Sequence, residues 1–143
     1  MMSARIFCFG VILMALSVAK GADSGKGFSG KWEAKFNDTV ICTIELRTAG
    51  ESVSGSMVDC RFDADADGNL REPGPSDSSP NPSPILNARV TQQVLYFEGK
   101  DDDDPEPIKF EMRLIKEGVA DLDIKNAPVK IKPIRFLRAS PSR

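Results

Sequence analysis

The sequence predicts an all-β protein: an antiparallel eight-stranded up-and-down barrel, with a β-sandwich as the alternative. Three observations predict it. Apolar and polar residues alternate with a period of two through most of the chain after residue 27, short turn signals separate the alternating stretches, and no stretch sustains a helical apolar period. Strands with one apolar face cannot remain an open sheet without wetting that face. Closure or a two-layer fold solves this, and the meander order favours the barrel.

The first strand is read over 28–36, where Phe28, Gly30, Trp32, Ala34 and Phe36 share one face and Lys31, Glu33 and Lys35 the other. Asn37-Asp38 is turn chemistry. The next strand, 40–47, places Val40, Cys42, Ile44 and Leu46 inward and Thr43, Glu45 and Arg47 outward. After a turn at 49–51, the third runs over 53–62 with Val58, Cys60 and Phe62 on its inner face. The pattern then stops. Residues 63–84 hold five prolines and two glycines and read as one long loop, well beyond the usual ~2–6-residue connection. Strands resume at 85–91 and 94–99, around Gln92-Gln93, and an acidic loop follows at 100–107. Residues 108–115 alternate with Ile108, Phe110, Met112 and Leu114 inward, and 116–118 turn the chain into 119–124, where Ala120, Leu122 and Ile124 share a face. The last strand, 129–138, is interrupted by Pro133, which implies an edge or a bulge.

Before the barrel lies a different kind of segment. Arg5, the apolar run 6–18 and the small residues Ala19 and Gly21 form the pattern of a cleavable secretory signal over 1–21. The run is too short to cross a bilayer as a helix, which takes ~20 residues. The expected product is a short arm, 22–27, one barrel domain, 28–138, and a tail, 139–143, in a secreted or periplasmic compartment. That product has no membrane span and is expected to be a monomer. It carries 17 basic and 21 acidic side chains, a net charge of −4, which offers no attraction to nucleic acid. The charge is unevenly spread: 59–106 has twelve acids against four bases, and 107–143 four acids against nine bases. This reads as solvated faces or as a dipolar surface that steers a charged partner.

Gly30-x-Trp32 at the first strand and the arginine-bearing end of the last, Arg135 to Arg138, resemble the calycin-like barrels, the lipocalins and avidins, in the manner of small secreted bacterial barrels. The resemblance implies that Trp32 lies across one end of the barrel and that Arg138 (or Arg135) packs on it, closing that end. A single tryptophan departs from the avidin biotin site, and the helix that lipocalins add beside the barrel is missing from the pattern. Ser29-Gly30-Lys31-Trp32 followed by Cys42 is also similar, more loosely, to bacterial periplasmic inhibitors of metalloproteases.

The chain has no histidine, so Ser-His-Asp, Cys-His and imidazole–zinc chemistry are excluded, and no enzyme is expected. Asp63, Asp65 and Asp67, followed by Gly68, have the spacing of a calcium loop, with a further donor such as Glu72 or Asp77 needed because Gly74 occupies the twelfth position. The other reading is an acidic loop in water. Apart from calcium, no cofactor is expected. Cys42 and Cys60 lie on neighbouring strands. If Leu46 pairs with Val53 the two cysteines have opposite parity, whereas a bulge near Gly55 would bring both sulfurs to one face. The functions expected are, first, a non-catalytic binding module for a small apolar ligand or a protein at its loop end. The second is a protease inhibitor using 22–27, and the third a structural envelope module with a calcium-binding loop.

Overall fold

A computed structural model describes residues 25–73, 82–100 and 105–139. The expected signal segment 1–21, residues 22–24 of the expected arm, Asp77, Asp101–Asp104 and residues 140–143 of the tail lie outside these residues. Eight antiparallel strands close into a barrel: β1 (Gly30–Phe36), β2 (Thr39–Ala49), β3 (Ser52–Val58), β6 (Ser83–Thr91), β7 (Val94–Gly99), β8 (Ile108–Lys116), β9 (Val119–Ile124) and β10 (Ile134–Arg138). Each pairs with its neighbours in sequence, and β10 closes on β1 through Trp32 opposite Arg138 and Glu33 opposite Leu137. The other two strands, β4 (Asp63–Ala64) and β5 (Leu70–Arg71), form a small ribbon outside the barrel. The sandwich alternative is not adopted.

Alternation decides the faces, and bulges correct it. Between Ala34 opposite Cys42 and Lys35 opposite Val40, β2 carries one extra residue, Ile41. Ile41 and Cys42 are therefore both fully buried, and Val40, expected inside, is exposed. In β6 the irregularity falls between Leu86 and Arg89, where Asn87 adopts φ 51°. Inward positions change there from Ile85 to Ala88 and Val90. A third bulge in β8 leaves Ile115 as the extra residue and exposes it. Such insertions tighten the local twist that a closed barrel needs.

Several expected boundaries move. Strand β3 ends at Val58, and its pairing with β2 is continuous, with Leu46 opposite Gly55 and Thr48 opposite Val53. Val53 and Met57 face the core, rather than Val58. Gly55 marks no bulge: a Cβ there would collide with the carbonyl of Glu45, so the residue permits close strand contact. The last strand begins at Ile134, not at residue 129. Residues 125–133 form a connecting strap instead, because Pro128 and Pro133 offer no N–H to a ladder. The long loop 63–84 is shorter than read, since it contains the β4–β5 ribbon and surrenders Ser83 and Pro84 to β6.

The inside of the barrel is filled. Trp32, Phe28, Phe97 and Phe136 are its largest wholly buried side chains, and Phe97 stacks on Phe110 with ring centres 5.0 Å apart. No polar or charged side chain is buried among the described residues.

Candidate functional site: the loop-bearing end

The strand order gives the barrel two unlike ends. At one, β2–β3, β6–β7 and β8–β9 are joined by two-residue turns. At the other, apart from the tight Asn37-Asp38 turn, lie the long connections 59–82, 100–107 and 125–133.

The short-turn end is closed. Residues Lys26–Phe28 form a 3-10 turn that sets Phe28 into the core, and the Phe28 carbonyl accepts a hydrogen bond from Trp32 Nε1 at 2.8 Å. The guanidinium carbon of Arg138 lies 4.7 Å from the centre of the Trp32 ring, and Arg138 Nη2 donates to the Gly27 carbonyl. Gly30, at φ 124°, leaves room for it: a Cβ there would stand 3.4 Å from Arg138 Nε. A cation held over an indole face contributes about 0.5–2 kcal/mol. Arg135, the other arginine considered, points outward and pairs with Asp121 at 2.5 Å. Of the expected arm 22–27, Gly25 is buried and Lys26 and Gly27 belong to the closing turn.

At the loop-bearing end the acidic motif builds a turn rather than a cation cage. Asp65 Oδ1 accepts hydrogen bonds from the backbone N–H groups of Asp67 at 2.9 Å and Asn69 at 3.0 Å. The Asn69 amide above all, with help from Asp67 and the charge of Arg71, holds the Asp65 carboxyl below its ordinary range in spite of some desolvation. Asp63 is taken by Arg71, Oδ1 to Nη2 at 3.0 Å. The carboxylates of Asp63, Asp65 and Asp67 do not converge, and no cluster of three or more such donors suited to a metal occurs among the described residues. Two of the three carboxylates that the spacing offered to calcium are thus engaged, Asp65 by the loop's own backbone and Asp63 by an arginine, and Asp77, a further donor named for that loop, lies outside the described residues.

Gly68 then docks this loop on the strap. Its φ is 83°, a Cβ would collide with the Lys130 carbonyl, and its own carbonyl accepts from Lys132 N at 2.9 Å. Lys132 Nζ reaches Asn69 Oδ1 at 2.7 Å. Asn126 fixes the other end of the strap, accepting from Lys109 N at 2.8 Å and donating to the Pro107 carbonyl at 2.9 Å. Between loop and strap lies an open hollow of about 1020 Å³, lined by Asp67, Lys125, Val129, Lys130 and Ile131 among others. Sequence reasoning missed Asn126 and the strap. The two prolines that bracket 128–133 were the available signal.

Cys42 and Cys60 are bonded and staple this end, tying β2 to the chain just past β3. The parity problem is solved at Asp59, whose φ of 47° turns the chain so that Cys60 faces Cys42, with Arg61 N bonded to the Ile41 carbonyl at 2.9 Å. No family model, curated protein or solved structure matches this chain. Among the described residues no helix is long and apolar enough to cross a membrane.

Proposed function

We propose that this chain is an exported, non-catalytic barrel of the calycin-like kind that binds a protein partner through its loop-bearing end. The observation that carries the choice is the filled interior. A carrier of small apolar ligands needs a cavity, generally ~300–1,000 Å³, with a few polar groups to orient its cargo. Here the inward side chains are buried against one another and none is polar. An eight-stranded barrel can be filled by its own side chains, and this one takes that solution. Binding then falls to the outside, and the loop-bearing end offers a hollow of about 1020 Å³ together with exposed Val129 beside Lys130. Export is supported by the signal-like residues 1–21 and by the Cys42–Cys60 bond, which an oxidising compartment favours.

The protease-inhibitor reading is less well supported. Inserting 22–27 into a target would pull Gly25 and Phe28 from the closed end, and both are buried.

The test is twofold. Purified protein titrated with an apolar fluorophore such as ANS is expected to show no stoichiometric uptake. A photo-crosslinking amino acid at Val129, in the exporting cell, is expected to yield one discrete protein adduct that the same probe at Thr91, near the opposite end, does not yield. A lipid-like molecule held stoichiometrically inside the barrel would sink the proposal.

A further inference from the structure

A second surface, on the flank of the barrel near its closed end, combines exposed apolar side chains with a basic rim. In register across β8, β9, β10 and β1 stand Lys116, Val119, Leu137 and Glu33. Ile115, the bulged residue, lies beside Lys116. Leu137 and Ile115 are 54% and 49% exposed, the two highest values among the exposed large apolar residues described. Neither is needed by the core, because their neighbours Phe136 and Leu114 supply the inward side chains. The bulge that leaves Ile115 outside also widens the apolar strip at the hairpin.

The next outward row is basic. Arg113 stands opposite Asp121, and Asp121 opposite Arg135. Asp121 is engaged by Arg135 through both carboxylate oxygens, at 2.5 and 3.3 Å. Lys35 follows on β1, and Arg113 and Lys35 are exposed. Glu33 is engaged by Lys31 at 3.7 Å. Glu117, exposed in the β8–β9 turn, offsets Lys116, while Asp121 and Glu33 are partnered, so the surplus charge, on Arg113 and Lys35, is positive in a chain whose net charge is negative. A hollow of about 380 Å³ adjoins Leu137 between Glu33, Lys35 and Arg135.

We propose that this flank docks an acidic protein segment carrying one apolar anchor, which lies beside Leu137 while its carboxylates meet Arg113, Lys116 and Lys35. Charge complementarity selects the sign of the partner. The concavity beside Leu137 selects a side chain rather than a bilayer, which presents no protruding anchor. This surface goes beyond the loop-end reading and stands on different residues.

The experiment is methyl and amide NMR of the exported form titrated with two blocked peptides, a phenylalanine flanked by aspartates and glutamates and the same residue flanked by lysines. The acidic peptide is expected to shift Ile115, Val119 and Leu137, less at high salt. Leu137→Asp combined with Arg113→Glu should weaken it by about tenfold or more. Unchanged thermal unfolding of that variant keeps the result from being a loss of fold. Equal shifts from both peptides, no shift at millimolar peptide, or shifts confined to Lys125, Lys130 and Lys132 would each overturn the proposal. So would Leu137-dependent sedimentation with phosphatidylglycerol-containing vesicles in the absence of peptide shifts, since that would make the partner a membrane. Crosslinks at Val129 report on the loop end alone and leave this outcome separate.

Discussion

The two ends of this barrel are held by different physics. The closed end is an extension of the core: Phe28, Trp32 and the stem of Arg138 pack over one another, and the polar atoms involved are few and short-ranged in sequence apart from Arg138 itself. The loop-bearing end is polar and assembled from distant pieces. There Gly68 meets Lys132, Asn126 meets Pro107, and one disulfide joins Cys42 to Cys60. Burial is non-directional and accrues with area, so it suits an end where the turns are short and the chain returns at once. Long connections cannot bury enough surface to offset their ordering entropy, and they depend on specific bonds and a covalent tie. Damage should therefore spread through the whole fold when the closed end is cut, and remain local when most of the loop end is.

Trp32→Ala tests the closed end hardest. It removes the largest wholly buried side chain and is expected to cost about 3–5 kcal/mol in urea unfolding. Arg138 and Phe28 should lose order together with it. Next comes the loop end's covalent tie: Cys42→Ala with Cys60→Ala opens a link between residues 18 apart. The expected loss is about 3 kcal/mol by the chain-entropy account, so a midpoint unchanged within error would mean that the tie is dispensable. Gly68→Ala comes third, at about 1–3 kcal/mol of local strain. Its signature is faster hydrogen exchange at Lys132 N–H with little change at Leu122 or Phe136, and a global loss would erase the contrast between the ends.

The smallest effect is a titration. The folded Asp65 carboxyl lies below its ordinary range, so its contribution is present above the unfolded value and disappears as the pH falls through the folded one. Amide shifts of Asp67 and Asn69 should therefore titrate together, with a midpoint below that of an ordinary aspartate, and Asp65→Asn should abolish that shared transition. Independent titrations of the two amides would show that Asp65 does not organise the turn.

How much of this was legible beforehand follows from how local each signal is. The inward faces of β1, β8 and β9 were read from alternation alone, since each position depends only on its neighbours two residues away. Val40 was misplaced because a bulge shifts parity without any marker in composition: Ile41 is as apolar as Val40. Val58 was misplaced because its strand alternates without a bulge and the parity changes only after it, at Asp59. The strap was mistaken for strand because Val129 and Ile131 alternate with Lys130 and Lys132. Only the prolines argued otherwise. The carboxylate loop at Asp63, Asp65 and Asp67 differs from its spacing for a related reason. Carboxylate spacing is a property of the sequence, but whether those oxygens are free to face a cation depends on Arg71 and on the backbone of the turn. The cysteine pair was left open by the sequence because its geometry turns on one residue, Asp59, in a left-handed conformation.

The sequence by itself determined that the chain is all-β, that eight strands follow one another as a meander, and that the apolar faces demand closure. These follow from periodicity and connection length, which act over a few residues. The tertiary structure alone decided that the barrel is filled, that Asp63 and Asp65 are engaged within their own loop while Gly68 and Asn69 dock it on the strap, and that Leu137 and Ile115 face solvent beside a basic row. Those outcomes depend on shear, bulges and the meeting of residues such as Asn69 and Lys132, which stand 63 positions apart. No local pattern encodes such distances.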